Sequence, residues 1–241
     1  LNAPAGGQGY RTGIRGGGPL TTLVLGESLW TTVWLNVLEI SALQPRGDWT
    51  AGDAPRSFPW LAPTVTSEGG KAVTPEDASP AQLFWGMPRR IRLRKSAEPG
   101  ECSVCGDRFQ EGYRGLLSKN LGVNYSGPWK HPLSPHTVGP DGSPLPLHGQ
   151  PGGIGYRHWL GIAVSFADDK GTRETAAVVS RYLRSTGEDA RIWAFGYDMD
   201  KMKARAWQGA TMPVLACPKE ISPLFEGQIT AFIRASESVA Y

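Results

Sequence analysis

Glycine and proline constrain this chain more than any other residue types. There are 31 glycines and 20 prolines among 241 residues. Proline fixes φ and removes a backbone donor, and glycine loses the most freedom on ordering. A chain punctuated this densely cannot be an all-helical bundle. It is expected to build short elements joined by many loops. The hydrophobic share of 40% and charged share of 20% exclude a disordered or fibrous chain. The formal charge of +3 permits a nucleic-acid partner without requiring one. Three cysteines make no disulfide scaffold and point to a reducing, cytoplasmic setting. No apolar run approaches the ~18 residues of a membrane span, and no signal peptide is legible, so no membrane partner is expected.

Periodicity predicts an α+β fold with short, mainly antiparallel strands and long loops. Residues 1–20 read as a glycine-rich loop, and Thr21–Leu25 as a short buried strand. Glu27–Ile40 reads as a helix, with Leu29, Trp30, Val33, Trp34, Val37 and Leu38 at helical spacing. Residues 44–80 read as an irregular excursion. Ile91 and Leu93 alternate with Arg90, Arg92 and Arg94, a strand with one basic face. Tyr113–Tyr125 reads as strand, turn, strand, and residues 126–155 as irregular. His158–Phe166 is predicted as a strand, and Glu174–Arg184 as an amphipathic helix. Ala190–Tyr197 and Ala204–Leu215 are predicted strands with Asp198–Lys203 as their turn. Lys219–Tyr241 carries an apolar stripe on a long helix that lacks a stop signal and partner helices. The chain is therefore expected to be a piece of a longer protein.

Four constellations could carry chemistry. Residues 5–22, AGGQGYRTGIRGGGPLTT, are neither a Walker loop, for want of a following Lys, nor a Rossmann fingerprint, for want of a preceding strand. They read as a turn cluster, or as backbone that approaches nucleic acid with help from Arg11 and Arg15. Cys102-Ser-Val-Cys105-Gly is half of a tetrahedral zinc site or a reduced structural pair. His131 and His136 could complete such a site, or its other ligands could lie outside the chain. Arg89, Arg90, Arg92, Arg94 and Lys95 form a solvated face or a phosphate contact. The turn Asp198–Lys203 carries two methionines, apolar side chains able to wedge between bases beside phosphate-binding amines. No hydrolase or metalloprotease motif and no deaminase signature is present. His158 reads as a core histidine, and Asp168-Asp169 as a turn pair.

Six blocks then become specific in their order: RTGIRGGGPLTTLV, LWTTVWLNVL, LFWGMPRRI, the C-x-x-CG, YSGPWKHPLSP and GYDMDKMKARAW. In that order, from about Asn2 to Tyr241, they resemble the large subunit of the type I-E CRISPR interference complex Cascade, the CasA family. The resemblance implies that residues 1–217 are the central and C-proximal part of a large α+β domain. Residues 218–241 would be the first helix of a C-terminal helical bundle. It also implies a binding protein rather than an enzyme. Such subunits recognise the protospacer-adjacent motif (PAM) in double-stranded target DNA and help open the duplex for guide-RNA pairing. They then recruit a separate helicase–nuclease. The implied partners are thus target DNA, the guide RNA with the other complex subunits, and that helicase–nuclease.

Residue by residue, the family's glycine loop at the PAM falls on Ala5–Gly9, where Gly6, Gly7 and Gly9 keep the small character and Gln8 departs from it. The family's lysine finger falls in a hairpin around Ser118–Asn120, where either Lys119 or Asn120 acts. The strand-separating wedge falls on Asp200, Lys201 and Met202, with Lys201 where a Gln or Asn is usual. The resemblance further implies a second C-x-x-C upstream of Leu1, which would complete a structural zinc site with Cys102 and Cys105 and leave Cys217 unrelated. Two other classes stand beside this reading. One is a zinc-dependent nucleic-acid-modifying enzyme on Cys102, Cys105 and a histidine. The other is a scaffold subunit without DNA contact.

Overall fold

A computed structural model describes residues 14–15, 17–43, 50–86, 89–168, 171–200, 203–218 and 220–239. Its strands are, in chain order, β1 (Thr21–Leu25), β2 (Arg90–Ser96), β3 (Gly100–Glu101), β4 (Arg108–Phe109), β5 (Gly112–Lys119), β6 (His136–Val138), β7 (Pro144–Pro146), β8 (Phe166–Asp168), β9 (Gly171–Glu174), β10 (Ala190–Asp200) and β11 (Lys203–Val214). They form small antiparallel sheets ordered β1-β10-β11, β2-β5, β3-β4 and β7-β6-β9-β8. With the interspersed helices this is the mixed α+β class that the punctuation predicts.

The core lies under the inner face of β1-β10-β11. Val24, Ile192, Ala194, Met212 and Val214 alternate inward and meet Val178 and Val179 of the Ala177–Thr186 helix, with Ile162 and Ala163 beside them. Alternation at period two makes that face apolar. The helix ends at Gly187, which adopts φ +64°, the left-handed cap that glycine takes without steric cost.

β1 sits at the sheet edge, yet its outer backbone groups are not left open. Leu20 and Thr22 N–H donate to the Leu147 and Leu133 carbonyls, both at 2.7 Å. At Val24 a side chain takes over. Asn36 Oδ1 accepts from Val24 N–H at 2.9 Å, and Asn36 Nδ2 donates to Val24 O at 2.8 Å and to Thr32 O at 2.7 Å. One carboxamide thus replaces a strand partner beside a fully buried valine. Leaving either Val24 group unpaired costs about 1–3 kcal/mol. The same contact explains why the predicted Glu27–Ile40 helix is shorter. It runs only over Leu29–Leu35, capped at its start by Ser28, because Asn36 leaves helical geometry to reach the sheet. None of its residues is buried, and Leu29 and Trp30 stand 82% and 70% exposed.

Other expectations need correction. Tyr113–Tyr125 is not a hairpin: β5 pairs backward with β2, and the chain leaves the ribbon at Leu121, whose φ is +56°. Residues 126–155 are not wholly irregular, since β6 and β7 form a ladder within them. The prolines of β7 are tolerated because it is an edge strand. His158–Phe166 is not a strand but a helical turn broken at Leu160 and Gly161, where Gly161 takes φ +94°. His158 is half-buried in a 3-10 turn, and its Nδ1 accepts from Gly155 N–H at 3.1 Å. The later predictions fit well. The helix predicted over Glu174–Arg184 spans Ala177–Thr186, and the last helix spans Ser222–Val239. Among the described residues no helix is long and apolar enough to cross a membrane.

Candidate nucleic-acid interface

The β10–β11 hairpin is the longest ladder in the molecule, pairing Ala190 with Val214 at its base and Asp200 with Lys203 at its far end. The predicted turn Asp198–Lys203 is therefore tighter than expected, and only residues 201 and 202 lie between the strands. Lys201 and Met202 fall outside the described residues; Asp200 is exposed beside them. Just below the tip a bulge follows Asp198. Its carboxylate is buried and accepts from Arg205 Nη2 at 2.6 Å. A bulge raises local twist and re-aims the strand end, and the ion pair holds that bend.

Two loops brace the hairpin. Gly149 bridges to Asp198, and Gln208 Nε2 donates to Gln150 O at 2.7 Å. Gly18, at φ +71°, lies so close that a Cβ there would collide with Met199 Cγ and come 2.9 Å from the Tyr197 carbonyl oxygen. The described end of the glycine-rich segment is thus seated against the hairpin next to its tip. Gly6, Gly7, Gln8 and Gly9, and Arg11 with them, lie outside the described residues.

Arg15 has another task than the one expected of it. It is largely buried and donates to Ser134 Oγ at 3.0 Å, to Leu20 O at 3.3 Å and to Thr21 Oγ1. Burial lowers its guanidinium to about 10. It ties the glycine segment to the core rather than facing a ligand. His131 and His136 share that interior. His131 Nδ1 accepts from Leu133 N–H at 3.2 Å, and its ring meets Phe84 edge-on at 5.5 Å. Burial, then the charge of Arg15, then His136 push His131 down to about 3. Burial, then Lys130, lower His136 to about 4, with Glu174 opposing and Arg15 adding to the fall.

Neither histidine joins Cys102 and Cys105; no group of three metal-ligating side chains forms among the described residues. The reading that completes the cysteine pair with His131 or His136 is corrected accordingly. The pair itself has the geometry of a knuckle. Gly106 N–H donates to Cys102 O at 2.9 Å, and Gly106 takes φ +78° between the two-residue strands β3 and β4. The backbone N–H groups of Cys105, then of Val104, point at the Cys102 sulfur and lower its pKa, while the Cys105 thiol donates to Asp107 Oδ2 at 3.3 Å. Donors aimed at sulfur favour the thiolate that a metal needs.

The basic run is a ribbon, as its alternation predicts. Arg90, Arg92 and Arg94 of β2 face Lys119, Leu117 and Gly115 of β5, so Arg90 and Lys119 are directly opposed cations. Lys95 is taken by Glu111, but among the described residues Arg90, Arg92, Arg94 and Lys119 meet no carboxylate. Like charges directly opposed destabilise a ladder unless an anion lies between them. Lys119 and Arg90 also line a cleft of about 1140 Å³ together with Trp60 and Trp85. Asn120, next in the chain, is exposed at the ribbon's end. The opposition of Arg90 to Lys119 was not anticipated from sequence, because register is invisible in a single strand.

The family model for CRISPR-associated protein Cse1 matches residues 1–241. Three solved structures are similar in fold. A chain of a CRISPR RNA-guided surveillance complex matches with TM-score 0.61 and 18% identity, over 93% of this chain and 42% of that one. Thermus thermophilus CasA (Cse1) matches with TM-score 0.56 and 16% identity, over 96% and 47%. A second crystal structure of Thermus thermophilus CasA matches with TM-score 0.62 and 16% identity, over 98% and 46%. The chain spans less than half the length of each of these three solved chains.

Proposed function

The chain belongs to the CRISPR-associated Cse1 family, and from that premise we propose that it is the DNA-binding part of a CRISPR RNA-guided surveillance subunit. In this reading it recognises a PAM in double-stranded DNA, helps open the duplex for guide-RNA pairing and has no catalytic role of its own. The helicase–nuclease it recruits does the cutting. The carrying observation is the seating of Gly18 against Met199 and Tyr197 beside the hairpin tip. It supports a glycine-rich backbone, Gly6, Gly7, Gln8 and Gly9, acting next to a wedge formed by Asp200, Lys201 and Met202. The cations Arg90 and Lys119, which meet no carboxylate among the described residues, suit phosphates and the groove at the duplex flank, with Asn120 beside them. Opening needs such help, because exchanging a DNA duplex for an RNA–DNA one is near balance.

The test is R-loop formation by the whole complex on a fully paired target and on one already mismatched next to the PAM. Unstacking a step costs a few kcal/mol. The double change Lys201→Ala, Met202→Ala is expected to slow opening of the paired target by about 10-fold or more and to leave the pre-opened one nearly unaffected. Equal loss on both substrates would reduce the turn to a source of general affinity.

Cys102 and Cys105 are proposed as two ligands of a closed structural zinc site, the other two coming from elsewhere in the full-length protein. Zinc bound there would hold the β3–β4 tip together. Metal analysis of the full-length protein is expected to find about one zinc per chain, lost on Cys102→Ser; retention of zinc by that variant would remove the assignment.

A further inference from the structure

We propose that the outer face of the β10–β11 hairpin is a stacking platform for unpaired bases of single-stranded DNA. It rests on the duplex-opening role above and adds where a separated strand is held. A sheet with one face on the core ordinarily turns polar residues outward. Here the outward positions of β10 are Trp193, Phe195 and Tyr197, and β11 sets Trp207 opposite Tyr197. Trp193, Tyr197 and Trp207 stand 38%, 48% and 52% exposed.

The rings form one continuous row. Trp193 meets Phe195 at 4.2 Å between centroids, Phe195 meets Trp207 at 5.5 Å, and Trp207 meets Tyr197 at 4.8 Å. Trp193 to Tyr197 is four strand residues, about 13 Å, and sheet platforms that bind nucleic acid stack two or three bases on their aromatics. Gly209 lies opposite Phe195. A Cβ there would come 3.1 Å from Trp193 Nε1. Its absence lets the Trp193 indole lie across Gly209, which carries the aromatic row from β10 over β11.

Charge selects the occupant. The hairpin carries Arg191, Lys201, Lys203 and Arg205 against Asp198 and Asp200, and Asp198 is already paired with Arg205. A row of π-faces set among surplus cations is the combination that binds single strands without sequence preference. The row also begins at Tyr197, three residues from Asp200 at the tip, so a base freed there has the platform beside it.

The experiment measures binding of fluorescent 15-nucleotide oligo-dT and of a PAM-bearing duplex to the full-length protein. Base–aromatic stacking predicts that Tyr197→Ala, Trp207→Ala weakens oligo-dT by about 10- to 100-fold. Trp207→Phe is expected to retain most of it, with duplex affinity and thermal unfolding unchanged. Oligo-dT binding by the double variant equal to wild type overturns the proposal. So does intact oligo-dT binding with loss of the other complex subunits, which makes the face a protein contact. In unsubstituted protein, 2-aminopurine placed in the oligonucleotide is expected to be quenched by stacking; no quenching overturns the proposal independently of any folding defect. Failure of the wild type to bind the PAM duplex, with the oligo-dT result as expected, sinks the PAM reading and leaves the platform standing.

Discussion

Gly149→Val is expected to uncouple the hairpin from the body of the protein. A Cβ at Gly149 would stand 2.9 Å from Tyr197 O and 3.1 Å from both Asp198 N and Tyr197 C. All three are backbone atoms, so no side chain can swing aside to make room. The Gly149–Asp198 bridge has to break, and the Gln208–Gln150 hydrogen bond beside it loses its geometry. Forcing volume into so tight a contact costs about 1–3 kcal/mol. That loss is measured by denaturant unfolding of the full-length protein. The functional loss is expected to exceed what the stability loss alone would cause in a protein that stays folded, because the residues displaced are those beside the tip. R-loop formation on a paired target should fall by about 10-fold or more under conditions where the variant remains folded. Gly155→Ala is the control, since nothing lies within 4 Å of its added carbon. Wild-type opening rates in the Gly149 variant would show that the brace does not matter.

Acid is expected to destabilise the protein well before its carboxylates titrate. His131 and His136 are held neutral, at about 3 and about 4, against an unfolded value near 6.5. The unfolded chain therefore binds more protons than the native one at every pH between those values. Stability is full above about 6.5 and falls as pH drops through that window. From pH 7 to pH 5 each histidine contributes a loss of about 2 kcal/mol. For both that is about 4 kcal/mol, a large share of a typical folding free energy. Both sites are buried, so salt screens the effect weakly. Denaturant midpoints at pH 7, 6 and 5 check this. Substituting both with neutral residues, His131→Phe and His136→Asn, should flatten the slope, whatever it does to stability at pH 7. A slope unchanged by the pair would place the acid sensitivity elsewhere. His148, also lowered by burial, is the next group to examine.

Much of the scaffold was legible in the sequence. TTLVL and the two long segments after Ala190 read as strands from their β-branched and aromatic content bounded by turn signals, although both faces of β10 are apolar. The Ala177–Thr186 helix shows its amphipathic period because one face packs on the core. His158–Phe166 misled because its apolar residues are buried in a turn broken at Leu160 and Gly161, and a short apolar run does not reveal its period. Tyr113–Tyr125 misled because β5 takes its partner from upstream, and pairing across a sheet leaves no local trace. The helix after Gly26 was overextended because nothing in LNVLEI announces that Asn36 turns away to serve β1. At the candidate interface the residue types could be read, but their company could not. Arg15 looked like a ligand contact and is an internal tie. The outward row of Trp193, Phe195, Tyr197 and Trp207 emerges only once the register of β10 with β11 is known.

The stability of the β2–β5 ribbon bears on how a DNA target would be held in the proposed function. Two strands alone are marginally stable in water, and none of the residues of these two is buried. Setting Arg90 against Lys119 weakens the ladder further at the end nearest the cleft. In the proposed function a phosphate chain laid along that edge would cancel the repulsion and stiffen the ladder in the same event. The arm would then be a compliant sensor of charge, gaining its mechanical rigidity from the molecule it grips.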